Sequence, residues 1–125
     1  MKDMTPLTEA EWKIISVLWE KSPRTMMEIT HALEAETGWT KHTVITLLKR
    51  MNQKGTVRIL KEGGAMTYVP AVKKAKVAGE QTRTLLSRLF SGKASLLVNN
   101  LVEQGDVTQE EIEEMLDILR KASKE

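Results

Sequence analysis

The hydrophobic period of this chain changes once, at Gly55, and that change narrows the folds open to it more than any other feature. Before it, Val44, Leu47, Leu48 and Met51 recur at i, i+3, i+4 and i+7, the apolar stripe of a helix. Thr40 is placed to cap the first turn, and Gly55 to end the helix in a left-handed conformation. After it, residues 56–61 and 66–70 read as two strands. Glu62, Gly63, Gly64 and Ala65 between them offer the positive φ that a tight hairpin needs. Two capping boxes precede the helix. Thr8-Glu9-Ala10-Glu11 opens a first helix, with Ala10, Ile14, Val17 and Leu18 on one stripe that Trp12, Ile15 and Trp19 widen. That helix is expected to stop near Ser22 and Pro23, because proline disfavours a helical residue before it. Thr25-Met26-Met27-Glu28 opens a second, which buries Ile29, Ala32 and Leu33 and ends before Gly38. Three short helices and then a β-hairpin are the order of a winged helix-turn-helix unit.

Charge points to what such a unit would touch. Opposite the apolar stripe of the third helix lie His42, Thr46, Lys49 and Gln53, flanked by Thr43, Arg50 and Lys54. Residues 40–61 contain Lys41, Lys49, Arg50, Lys54, Arg58 and Lys61 and no Asp or Glu. Small hydroxyls and an imidazole can read base edges in a major groove, while Lys and Arg hold phosphates. Taken alone, one basic amphipathic helix is more often a solvated surface helix. The hairpin that follows it favours DNA. The net charge of +2 carries no such weight, whereas its distribution does. Glu103, Asp106, Glu110, Glu111, Glu113, Glu114 and Asp117 occupy a span without Lys or Arg, so one end of the chain is suited to binding DNA and the other is not.

A boundary is expected near residue 72, with a winged-helix DNA-binding domain over residues 1–72 and a helical domain over 73–125. In the second, Val77, Leu85, Leu86, Leu89 and Phe90 make one helix, interrupted at Ser91 and Gly92. Leu96, Leu97, Val98, Leu101 and Val102 make another, closed by Gly105. A third capping box, Thr108-Gln109-Glu110-Glu111, opens a last helix with Ile112, Met115, Leu116 and Leu119. Fewer than about 70 residues rarely enclose a core of their own without staples. The tail is therefore expected to pack on the same tail of a second chain through Leu85, Leu89, Leu97, Leu101, Ile112, Leu116 and Leu119. A monomer with the tail folded back is the alternative. The fold class is mainly α with a small β-hairpin.

Several classes drop out. With no Cys there are no disulfides, thiolate nucleophiles or Cys-based metal sites. His31 and His42 lack HExxH spacing and a third ligand, so neither metal nor cofactor is expected. The glutamates near residue 110 sit where a helix dipole favours negative charge, which accounts for them without catalysis. No nucleophile has a base partner by spacing, and an enzyme is not expected. No apolar run reaches membrane-spanning length, and the polar N-terminus does not read as a signal peptide, so a soluble cytoplasmic protein is expected.

With these elements in order, the chain resembles the penicillinase-repressor (BlaI/MecI type) family of bacterial transcriptional repressors. The resemblance rests on Leu7-Thr8-Glu9-Ala10-Glu11-Trp12, on Trp39-Thr40, Thr43-Val44, Thr46-Leu47, Arg50 and Lys54-Gly55, and on Lys61-Glu62-Gly63 with Tyr68 and Pro70. It continues through Ser91-Gly92, Val98, Asn100, Glu103 and Glu110-Glu111-Ile112. It implies a homodimer on dyad operators ahead of β-lactam-resistance or envelope-stress genes. It further implies relief by cleavage in the tail, by a membrane-bound sensor metalloprotease or a protease it activates. The position matching the family's cleaved Asn-Phe bond is Asn100-Leu101. His42 stands where Lys is frequent, and Gly64 where the wing commonly carries Arg. The competing expectation is a winged helix serving as a protein-interaction or architectural module. Its mark would be apolar residues on the recognition face, where His42, Thr46 and Lys49 are polar and only Ile45 stands beside them.

Overall fold

A computed structural model describes residues 7–124; the polar N-terminal residues 1–6 lie outside the described residues. Thr8 caps helix α1 (Glu9–Glu20), its hydroxyl accepting from the Glu11 amide while the Glu11 carboxylate accepts from the Thr8 amide. Thr25 and Glu28 repeat the box at helix α2 (Met26–Thr37), and Thr40 caps helix α3 (Lys41–Lys54). Gly55 ends α3 at φ 87°, a conformation that a β-carbon would strain. Strand β2 (Val57–Glu62) and strand β3 (Ala65–Pro70) then pair antiparallel, with Glu62 opposite Ala65. That register leaves a two-residue turn, and Gly63 and Gly64 both take positive φ, 62° and 79°. Such a turn matches the right-handed twist of the strands it joins.

The sheet has a third strand that the sequence pattern did not announce. Arg24 and Thr25 form β1, which pairs antiparallel with β3 at Tyr68 and Thr67, so the order is β1-β3-β2. The segment between α1 and α2 is thus an edge strand rather than only a connection. It follows Pro23 directly and merges into the Thr25 cap.

The core of this part is one cluster. Ile14, Ile15, Val17 and Leu18 of α1, Ile29 and Leu33 of α2, and Val44, Leu47, Leu48 and Met51 of α3 meet Val57 and Tyr68 of the sheet. Each fully buried aliphatic side chain contributes roughly 1.5–3 kcal/mol. Trp12, Trp19 and Trp39 are partly buried against the cluster, as packing at its edge. The Trp19 indole N–H donates to the Val72 carbonyl at 3.0 Å, tying α1 to the chain beyond the hairpin.

Helix α4 (Lys74–Leu89), helix α5 (Ala94–Gln104) and helix α6 (Gln109–Ser123) complete the chain. The link between α4 and α5 carries Ser91 and Gly92 at positive φ, and Gly105 ends α5. The capping box of Thr108 and Glu111 opens α6. Two compact units result, one closing at Val77 and the other beginning at Ala78. In the second, no residue of α5 or α6 is buried, and Leu85, Leu89, Leu96, Val98, Val102, Leu116, Ile118 and Leu119 are exposed. The segment 96–102 is helical as its spacing implies. It is not enclosed within the single chain, because the unit has too few helices to cover it. Among the described residues, no helix is long and apolar enough to cross a membrane.

Candidate nucleic-acid interface

The apolar stripe of α3 decides which of its side chains face outward. With Val44, Leu48 and Met51 fully buried and Leu47 nearly so, the residues 180° away must be exposed. His42, Thr46 and Lys49 all are, as are Thr43 and Arg50 on the flank and Lys41 at the helix start. His42, Thr43, Thr46 and Arg50 line one shallow depression with the edge of Leu47 at its floor. The Thr46 hydroxyl donates to the His42 carbonyl at 2.9 Å. Its hydrogen is thereby committed, and what it offers outward is an acceptor lone pair and a methyl group. The Thr40 hydroxyl caps the Thr43 amide. Ile45 is half-buried and lines an apolar groove with Thr25, Met26, Met27, Met66 and Tyr68, so it faces the sheet as much as the outside.

Lys54 differs from the other cations of α3. Its ammonium donates to Glu11 Oε1 at 2.7 Å, and its side chain is only 19% exposed. At about 100° per residue it falls about 20° from Leu47 on the helical wheel, on the flank of the buried stripe. Glu11 itself is fully buried. Burial acts to raise its pKa, but the hydrogen bonds from Lys54 and the Thr8 amide, with the charges of Lys54 and Arg50, outweigh it. The carboxyl is held below its ordinary range. Glu11 is the functional candidate that sequence spacing did not single out beyond its cap. Its partner is 43 residues away, and the capping box already explained the residue.

Arg58 and Lys61 are both exposed on β2. They stand three residues apart, so their side chains leave opposite faces of the strand. Val57 and Ile59 point into the core. Lys61 therefore continues the core-facing row beyond its edge, while Arg58 stands on the outer face. The structure gathers His42, Thr43, Thr46, Lys49 and Arg50 on one helix face, with Lys41 exposed at the helix start, and it divides the cations of the wing. Among the described residues, no group of three or more His, Asp or Glu side chains is arranged to hold a metal.

The family model for the penicillinase repressor matches residues 7–121. The chain belongs to the penicillinase repressor family. This is a family of DNA-binding transcriptional repressors and not of enzymes. Among its curated relatives, the methicillin resistance regulatory protein MecI of Staphylococcus aureus strain N315 is 27% identical over 115 residues, covering 92% of this chain and 94% of that protein. The penicillinase repressor of Bacillus licheniformis is 27% identical over 121 residues, covering 97% and 94%. Of solved structures, the DNA-binding domain of the repressor BlaI superposes with a TM-score of 0.52 at 28% identity, covering 60% of this chain and 92% of that domain. The monomeric form of Bacillus licheniformis BlaI in complex with the blaP half-operator gives 0.53 at 28% identity, with the same coverage. The first part of this family member therefore has a winged-helix DNA-binding fold, in which α3 is the third helix and β2 and β3 form the wing.

Proposed function

We propose that this repressor binds dyad operators in double-stranded DNA as a homodimer, reading bases with His42, Thr43 and Thr46. The observation that carries the reading is the outer face of α3, where these residues are exposed together with Lys41, Lys49 and Arg50. The readers lie in the first two turns, the part of such a helix that reaches base edges, and the cations flank them where phosphates run. Arg58 and Lys61 add phosphate contacts from the wing, one from each face. Lys54 stands apart from these contacts, its ammonium held by Glu11 at the end of the helix. A protein-interaction role would want apolar residues on this face, and the exposed ones are polar.

The dimer is formed by the tail. Leu85, Leu89, Leu116 and Leu119 are exposed in the single chain, and Leu97, Leu101 and Ile112 are half-buried. A second copy of the same tail supplies the cover these side chains lack. Joining two modest half-sites gives the pair an affinity neither has alone. The names of the relatives support genes of β-lactam resistance or of a similar envelope response as the targets. Repression ends when a protease, either a membrane-bound sensor metalloprotease or one it activates, cuts Asn100-Leu101 within α5. A repressor that acts on DNA fits the cytoplasm.

The test is a gel shift with the DNA upstream of the repressor's own coding sequence, at two salt concentrations. If a dimer neutralises roughly 6–10 phosphates, affinity falls about 10³–10⁵-fold between 50 and 200 mM salt. An affinity flat in salt would remove DNA as the ligand.

A further inference from the structure

The buried pair of Glu11 and Lys54 joins the first turn of α1 to the last turn of the recognition helix. Oε1 of Glu11 accepts from the Thr8 amide at 3.0 Å and from Lys54 Nζ at 2.7 Å. Its second oxygen, Oε2, is buried without a hydrogen-bond partner among the described residues. Stability alone gives little reason for such a pair. Withdrawing two charges from water largely cancels their attraction, and an orphaned buried oxygen adds a desolvation cost. An apolar pair of similar volume would serve the core at least as well. What apolar contacts cannot supply is direction. Val44, Leu47, Leu48 and Met51 turn the apolar stripe of α3 inward, but they bind by area, which changes little if the helix rotates by a few degrees or slides by a fraction of an ångström. A charge-assisted hydrogen bond has a narrow range of length and angle.

We propose that Glu11 is a positioning residue for DNA reading: through Lys54 it sets the rotation and reach of α3 against α1. Arg50, one turn before Lys54, is the outward beneficiary. It is exposed and shares the depression of His42, Thr43 and Thr46, while its charge also acts on Glu11. The pair thus separates the cations of α3 into one that anchors the helix and others that meet the ligand. This inference rests on the dimeric DNA-reading function proposed above.

The experiment uses the full chain. The double variant Glu11→Gln with Lys54→Met removes both charges and leaves the net charge unchanged. Gln also keeps the capping box, since its carbonyl can accept from the Thr8 amide. The probe is a duplex enriched from a random pool by the wild-type protein, compared with a scrambled duplex of the same length. Urea midpoints and amide hydrogen exchange across residues 49–55 are read alongside. The double variant is expected to be at least as stable as the wild type and to exchange faster at the end of α3. It is expected to bind the enriched duplex about tenfold more weakly, roughly the value of one base contact, with the scrambled duplex unchanged. Lys54→Arg, which can keep the bond to Glu11, is expected to retain affinity. Equal loss on both duplexes would overturn the proposal and make Lys54 a phosphate ligand. Unchanged affinity, or a loss that vanishes once corrected for the folded fraction, would make the pair structural only. A pool that yields no enriched duplex would instead sink the reading of function beneath it.

Discussion

His42, Thr43 and Thr46 differ in what they can offer a base pair. Thr46 has already donated its hydroxyl hydrogen to the His42 carbonyl, so it can accept from a base amino group or place its methyl against thymine. Replacing any of the three by Ala is expected to cost about 1–3 kcal/mol on the operator and much less on random duplex. Fluorescence anisotropy with both duplexes decides this, because equal losses would show that they do not read sequence. Glu11 makes a prediction of a different kind. Its folded pKa lies below its ordinary value, so the stabilisation it gives is fully present above that value. It is lost as pH falls below the ordinary value and through the folded one. Urea midpoints taken from neutral pH into the acid range should therefore drop in the wild type, and Glu11→Gln should flatten that limb. An identical acid limb in the variant would assign the transition to other carboxylates. Neither the pairing nor the burial of Glu11 was legible from spacing, since a capping box looks the same whether its glutamate is solvated or enclosed.

At the scale of elements, each helix start that a capping box marked is where the chain places one, because the box is complete within four residues. The wing turn is equally local. Gly63 and Gly64 both sit at positive φ, and a β-carbon built on either meets nothing within 4 Å. Any penalty at these positions is then backbone strain alone. Gly64→Ala is expected to cost about 1–2 kcal/mol, and Gly63→Asn far less, because Asn tolerates the left-handed region. Thermal melts of the two variants measure the difference; equal melting temperatures would argue against the two-residue turn. Strand β1 is the element that escaped the sequence. Two residues, Arg24 and Thr25, carry no period, and they are extended because β3 presents an open edge more than 40 positions later in the chain.

Across the whole molecule, the two units differ in what they enclose. The first buries a continuous core, while in the second no residue of α5 or α6 is fully buried within one chain. Leu89→Glu combined with Leu119→Glu is expected to yield a monomer by sedimentation with the winged helix still folded. Those charges would have to be desolvated at any tail interface. The variant should also lose the avidity of a two-site operator while holding a half-site as before. A variant that stayed dimeric would move the interface away from the tail. The proposed cleavage at Asn100-Leu101 would act on the same surface, separating α6 and its exposed Leu116, Ile118 and Leu119 from α4. Co-expression with the sensor protease and an inducer, followed by mass measurement of the fragments, checks the bond; induction with an intact chain would point to a bound effector instead.

The sequence by itself determined the winged helix, because caps, helical stripes and a glycine turn are each written within a few neighbouring residues. It also determined the outward face of α3, which follows once the apolar stripe is turned inward. Only the tertiary structure decided which cations remain on that face. Lys54 lies on the flank of the stripe, and it turned inward because a buried carboxylate on another helix was waiting for a partner. It likewise decided which of Arg58 and Lys61 takes the outer face of the wing, since the phase of a strand depends on which residues its core accepts. Burial and pairing are properties of residues distant in the chain, and no local pattern encodes them.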